Sequence, residues 1–282
     1  MNSTVPNALV DGVATGRIDV QDRGLHYGDG LFETLAVRDG RPRFWSRHMA
    51  RLMAGLERLG FPVVDERQLE AEAESLIRPG QQGVLKILLT RGRAGRGYGT
   101  IKGQAPSRVL LMAPWPEGLE AKARAGVAVR MCQLRLGQNP ILAGIKHLNR
   151  LEQVMARSEW ETPEIDEGLL CDGGERVIEG TRANLFMVRN GTLLTPELSA
   201  SGVAGVMRSV VLDLARELGA PARVKAIHRR ELSEADELFL TNSLQGIVPI
   251  RHLQQQQWTD WPLTRRLQEA LATTEEGTAW YP

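Results

Sequence analysis

Apolar and polar positions along the chain follow two periods, and the changes between them mark out short strands and amphipathic helices. Ala8 to Val20 holds short apolar runs split by Asp11-Gly12, which signals a hairpin. Leu31 to Val37 reads as a strand turned at Asp39-Gly40. From Phe44 to Leu59 the period becomes helical, with Trp45, Met49, Leu52, Met53, Leu56 and Leu59 in one stripe, and Gly60 and Phe61-Pro62 end it. Asp65 to Ile77 predicts a second helix, stopped by Pro79-Gly80. Gly83 to Thr90 is almost continuously apolar, as a strand buried on both faces is, and Val109 to Ala113 is the next strand.

Pro114-Trp115-Pro116 bars helix and central strand alike, so the pattern divides the chain there. The reading is an N-terminal domain over 1–113, a linker over 114–125 and a C-terminal domain over 126–282. Val127 to Gln133 restarts as a strand. A helix is predicted from about His147 to Trp160, with Leu148, Leu151, Val154 and Met155 facing a core. Glu167 to Cys171 and Arg176 to Glu179 flank the turn Asp172-Gly173-Gly174; Leu185 to Arg189 and Thr192 to Thr195 flank Asn190-Gly191, a hairpin signal. A helix enters at Val206 and runs to Leu218, Val224 to Ile227 and Leu238 to Thr241 are strands around a short helix from Glu231 to Ala235, Gln254 to Gln257 is a polar loop, and Leu263 to Leu271 closes the chain. Strands and helices in this mixture predict an α+β fold.

Composition narrows the function classes. The 282 residues carry 35 basic and 34 acidic side chains, a formal charge of +1, which argues against a dedicated nucleic-acid binder. Cys132 and Cys171 are the only cysteines and form no metal-spaced pair, so a reducing compartment is expected. Met1 to Val13 has no signal-peptide pattern and no apolar run is long enough to span a bilayer, so the expectation is a soluble cytoplasmic protein.

Three stretches carry candidate chemistry. Lys146 follows apolar Leu142, Ala143 and Ile145 just ahead of a predicted helix. Burial there would push its pKa down, and a neutral amine is what Schiff-base chemistry requires. A lysine at a helix start is more often simply solvated. Gly24, Gly28 and Gly30 crowd the run from Asp22 to Thr34, which suggests backbone close to a ligand or another chain, although a plain turn is the commoner outcome. Arg91 to Gly99 is basic and glycine-rich between two strands, suited to an anion over a small-molecule site. Gly205 stands at a helix N-terminus, where N–H groups and the dipole favour an anion.

Taken in order, Asp22-Arg23-Gly24 with Tyr27-Gly28-Asp29-Gly30, His48-Met49-Ala50-Arg51-Leu52, Lys146, Glu179-Gly180 with Asn184-Leu185-Phe186, and Thr241-Asn242-Ser243 resemble the fold-type IV pyridoxal-phosphate enzymes. That family holds branched-chain and D-amino acid aminotransferases and aminodeoxychorismate lyase. Asn139 to Val154 and Thr90 to Tyr98 are most similar to the lyase branch. The resemblance implies two domains, a small N-terminal α/β domain and a larger one with a barrel-like β core, and a homodimer. It implies pyridoxal 5'-phosphate on Lys146, with Glu179 at the pyridinium nitrogen and Arg51, Asn184, Val206, Met207 and Ser243 holding the cofactor. It implies substrate contacts from Arg96, Arg93, Tyr98, Phe32 and Leu244, and a catalytic hydroxyl at Thr34. Thr34 suits the lyase, whereas Glu33 is similar to the aminotransferase pattern. The implied reaction converts 4-amino-4-deoxychorismate to 4-aminobenzoate and pyruvate. An aminotransferase on the same fold is the alternative, and a non-catalytic anion or RNA binder a distant one.

Overall fold

The periodic runs of the first half become a sheet backed by two helices in a computed structural model, which describes residues 7–93, 97–101 and 103–274. One unit comprises the chain up to Pro116 together with Ile145–Asn149. Its elements are β1 (Ala8–Val10), β2 (Val13–Ala14), α1 (Arg23–Tyr27), β3 (Gly30–Arg38), β4 (Arg41–Pro42), α2 (Trp45–Arg58), α3 (Glu66–Leu76), β5 (Gly83–Thr90) and β6 (Ser107–Ala113). Among the described residues the strands form one antiparallel sheet in the order β2-β1-β6-β5-β3-β4. Because β5 lies between β3 and β6 along its whole length, it reads as a nearly unbroken apolar run.

Alternation in β3 separates two faces. Leu31, Leu35 and Val37 pack with Leu85, Ile87 and Leu89 of β5 and with Met49, Leu52 and Leu56 of α2. Phe32 and Thr34 take the other face, where the register sets Phe32 opposite Leu88 and Thr34 opposite Lys86. All four are half-buried. The short α1 was not apparent from periodicity. Asp22 caps it by accepting from the Gly24 N–H, and Gly28 ends it in the left-handed region (φ 63°).

The helix expected from about His147 does not begin there. Instead the Phe32 N–H donates to the Lys146 carbonyl (3.0 Å) and the Leu148 N–H to the Gly30 carbonyl (2.9 Å). These bonds tie Ile145–Asn149 to β3 and take the Leu148 N–H away from any helical partner, so the helix begins only at Leu151.

The second unit comprises Glu117–Gly144 and the chain from Arg150 onward. Its elements are α4 (Leu119–Ala125), β7 (Val127–Leu136), α5 (Leu151–Arg157), β8 (Glu167–Asp172), β9 (Arg176–Gly180), β10 (Asn184–Arg189), β11 (Thr192–Pro196), α6 (Val206–Glu217), β12 (Ala222–Lys225), β13 (Ile227–His228), a 3-10 helix at Arg229–Glu234, β14 (Glu237–Asn242), β15 (Gly246–Leu253), β16 (Gln256–Gln257) and α7 (Pro262–Thr273). The stretch read as linker therefore contains a helix: past Gly118, the run Leu-Glu-Ala-Lys-Ala-Arg-Ala has high helix propensity.

The strand order is β12-β11-β10-β14-β15-β7-β8-β9-β13, with β16 on β15. Among the described residues no ladder closes this sheet into a barrel. Its two end strands are nevertheless separated in sequence by Ala226 alone, so the sheet curls back on itself. Its core gathers Val127, Val129, Leu169, Leu185, Leu238, Val248 and Ile250 with Trp258 and Trp261. The strand β15 was missed because it contains Pro249. That proline lies ahead of the ladder to β7, which begins at Ile250.

The apolar stripe of α5 is not a core stripe. Leu151, Val154 and Met155 are 70%, 59% and 57% exposed, and the helix buries Ala156 instead. Among the described residues no helix is long and apolar enough to cross a membrane, and no cluster of three or more His, Cys, Asp or Glu side chains could hold a metal ion.

Candidate active site

In the first unit the chemistry gathers on the Phe32–Thr34 face. The Lys146 Nζ lies 4.1 Å from the Phe32 ring centroid, and Lys146 is half-buried, between the dry and solvated extremes. A second amine, Lys86 Nζ, stands 5.3 Å from the same ring. Lys86 is paired in register with Thr34, which places the Thr34 and Lys86 side chains on one face. Sequence reasoning missed Lys86. The signal was there, a lone cation in the apolar run from Val84 to Leu89.

The opposite face of β3 carries Glu33 into the apolar layer beneath α2, where it is buried. Arg51 donates to it through Nε (2.8 Å) and Nη2, and His48 Nδ1 lies 2.6 Å from the same carboxylate. Both partners come from α2, three residues apart and so on one helix face. Burial pushes the Glu33 pKa up, but Arg51 and then His48 pull it down further, to about 2 from its ordinary 4.5. Burial pushes the His48 pKa below its ordinary 6.5, against the pull of Glu33. A neutral ring facing an ionised carboxylate must carry its proton on Nδ1. The buried Nε2 has no hydrogen-bond partner among the described residues. The aminotransferase-like Glu33 therefore points away from the Thr34 face and anchors Arg51.

The arginine–glycine loop sorts into distinct roles. The Arg91 side chain is committed to structure: Nε donates to Asp29 (2.9 Å), Nη2 and Nη1 to the carbonyls of Leu59 and Gly60, and the guanidinium stacks on Phe61. Arg93 is exposed and is held by Asp19 (3.3 Å) and Gln21 (3.0 Å). Tyr98 is 84% exposed, its ring 5.3 Å from that of Tyr27. Arg96 lies outside the described residues.

In the second unit Glu179 and Asn184 grip the same backbone residue. The Val203 N–H donates to Glu179 Oε2 (2.8 Å), and Asn184 Nδ2 donates to the Val203 carbonyl (2.8 Å). Val203 also bridges Gly144. This fixes the approach to α6, whose N-cap is Gly205 with no side-chain cap. A Cβ at Gly205 would fall 2.0 Å from Asn184 Oδ1, so the cradle accepts only glycine. The N–H groups of Val206 and Met207 in the first turn form the positive end of the helix. Burial lowers the Arg150 pKa, and the charges of Glu179 and Glu152 oppose this. Ser243 and Leu244 sit on the turn between β14 and β15, which Asn242 Oδ1 builds by accepting from the N–H groups of Leu244 and Gln245. Across the register from Asn184, the buried Thr241 Oγ1 has no partner among the described residues. An uncapped helix N-terminus, hydroxyls, one of them orphaned, and a buried carboxylate are the groups that a phosphorylated pyridine needs. The residues present fit pyridoxal phosphate.

A family model for amino-transferase class IV matches residues 30–253. Among curated proteins, the chain is similar to an aminodeoxychorismate lyase of Vibrio harveyi, 36% identical over 268 residues that cover 94% of this chain and 99% of that one. Among solved structures, it is similar to 4-amino-4-deoxychorismate lyase from Pseudomonas aeruginosa, with 45% identity, a TM-score of 0.90 and coverage of 95% of this chain and 99% of that chain. It is also similar to branched-chain amino acid aminotransferase of Escherichia coli, with 26% identity, a TM-score of 0.83 and 98% of each chain covered.

Proposed function

The chain belongs to the class IV amino-transferase family, and on that premise we propose that it is a lyase converting 4-amino-4-deoxychorismate to 4-aminobenzoate and pyruvate, a step toward folate. The observation that carries this reading is the full-length likeness to two lyases of that name, 45% identical among solved structures and 36% among curated proteins, against 26% and 31% for aminotransferases in the same two comparisons. Glu33, which favours the aminotransferase, is accounted for by its bonds to Arg51 and His48 on the opposite face.

Lys146 would hold pyridoxal phosphate until the substrate's own amine displaces it and frees the lysine, and the cofactor would supply the electron sink that makes the substrate's ring C–H acidic. Glu179 is the buried carboxylate suited to a pyridinium nitrogen. The first turn of α6, the Ser243 hydroxyl and Arg51 suit the phosphate, and Asn184 shapes the cradle from behind. The Lys146 amine then removes the proton from the amine-bearing ring carbon. The ether C–O bond to the enolpyruvyl group breaks, its electron pair leaves on oxygen and the ring becomes aromatic. The same amine returns a proton to the methylene carbon of the enol, giving pyruvate. The Phe32 ring covers one side of that amine, and the Thr34 hydroxyl stands on the same sheet face to relay a proton. Lys86, Arg93, Arg96, Tyr98 and Leu244 are the candidates for contacts to the two substrate carboxylates and the ring.

The reading includes a cytoplasmic homodimer. Its supports are the two unpaired buried thiols, Cys132 and Cys171, and the exposed apolar face of α5. The absorption spectrum of protein purified with pyridoxal phosphate tests the assignment of Lys146. Visible absorbance that resists dialysis and vanishes in Lys146→Ala is the expected result. A colourless wild type after cofactor addition would defeat it.

A further inference from the structure

The guanidinium of Arg23 is given over to one loop. Arg23 lies on α1 and is 5% exposed. Its Nη1 donates to the carbonyls of Gly97 (3.0 Å) and Gly99 (3.2 Å), its Nη2 to that of Tyr98 (3.1 Å) and its Nε to Asp29 (2.8 Å). At the start of the same loop, the Arg23 N–H donates to the Gly92 carbonyl (2.9 Å). The Tyr27 ring lies 5.0 Å from the guanidinium and packs against Tyr98. The strand that leads into the loop is locked to α1, because Thr90 Oγ1 donates to Asp22 Oδ2 (2.7 Å) and a Cβ at Gly24 would fall 2.3 Å from Thr90 Cγ2.

Gly97, Tyr98 and Gly99 lie outside every helix and strand, and Tyr98 buries little of its own side chain. Glycine-rich backbone loses much conformational entropy on ordering. The order therefore comes from the carbonyl bonds. A planar fork of five N–H donors serves three successive carbonyls and Asp29 at once, four acceptors against the three donors of an ammonium. The buried charge is balanced by Asp29, which is itself shared with Arg91.

We propose that Arg23 is a positioning residue for the substrate: it fixes the Gly97–Gly99 backbone and so presents Tyr98 to a dicarboxylate ligand. The identity of that ligand rests on the lyase reading, whereas the fixing of the loop does not. Preorganisation of this kind acts on binding more than on bond breaking.

The test uses Arg23→Lys and Arg23→Gln in the cofactor-loaded enzyme. KM for 4-amino-4-deoxychorismate should rise about tenfold, with kcat within about twofold and the visible absorbance unchanged. Native-state trypsin cleavage between Arg93 and Lys102 should accelerate about tenfold or more. Lysine should fail to restore either property, although it keeps a charge for Asp29; a residue that only balanced charge would be rescued. An unchanged cleavage rate overturns the latch, and faster cleavage with unchanged KM overturns its role in substrate positioning. If neither variant folds, the wild type decides. Cleavage of its loop as fast as that of a synthetic peptide of the same residues overturns the latch, and markedly slower cleavage supports it. A wild type that binds no pyridoxal phosphate and releases no pyruvate defeats the lyase reading, and the cleavage rates still decide the latch.

Discussion

Glu33 shows how one side chain can serve a site without facing it. It lies on the core side of β3, and Arg51 and His48 offset its burial. Removing one partner of a buried charged cluster costs about 3–5 kcal/mol, so Glu33→Gln should lower unfolding stability by about 3 kcal/mol. The pH dependence follows from the same geometry. The folded pKa of Glu33 lies near 2, below its ordinary 4.5, so its contribution is complete above 4.5 and is lost as pH falls toward 2. His48 acts in the same direction: the unfolded chain takes up a proton below its ordinary 6.5 that the buried ring resists. Urea unfolding at a series of pH values should therefore show stability falling with acidification, and less steeply below pH 4.5 in Glu33→Gln. Parallel curves would contradict this. The sequence shows that Glu33, His48 and Arg51 are present, but not that they meet, because only the folded chain lays α2 over β3. Arg23 was hidden for the same reason, since its partners at Gly97 to Gly99 lie far along the chain.

Among the elements, α5 diverges most from what periodicity alone suggests. The stripe Leu151, Val154 and Met155 has the spacing of a core face, but a helical period says only that one face is apolar, not what covers it. If that face meets a second copy of the chain, Val154→Asp with Met155→Asp should shift sedimentation from dimer to monomer. These residues are exposed within one chain, so the monomer should stay folded. A variant that still sediments as a dimer would remove α5 from the interface. The N-terminus of α6 was readable from Gly205, but the reason for glycine was not. It lies in Asn184, which grips Val203 and leaves no room for a Cβ. Gly205→Ala should weaken pyridoxal-phosphate affinity by about tenfold or more, in a titration followed by absorbance, because backbone or Asn184 must shift. Unchanged affinity would show that the cradle is not used. Strand existence was legible almost throughout. The exceptions were the two-residue strands β4 and β16, the latter paired with β15 where a polar loop is expected, β15 itself, obscured by Pro249, and the extended segment at Ile145–Asn149, whose pairing with β3 overrides a helical pattern.

For the whole molecule, fold and family were legible because ordered motifs span most of the chain, from Asp22 through Lys146 to Ser243. Reaction choice within the family turns on single side chains, and there the sequence pointed both ways at Glu33 and Thr34. The structure separates the two, since consecutive strand residues face opposite sides of the sheet and only Thr34 shares a face with Phe32 and Lys86. The lyase account makes a stoichiometric demand that a transaminase does not. Purified protein loaded with pyridoxal phosphate and given 4-amino-4-deoxychorismate, with no keto acid added, should release 4-aminobenzoate and pyruvate in equal amounts over many turnovers, and Lys146→Ala should release neither. Turnover that requires an added keto acid, with an amino acid formed in place of pyruvate, would contradict it.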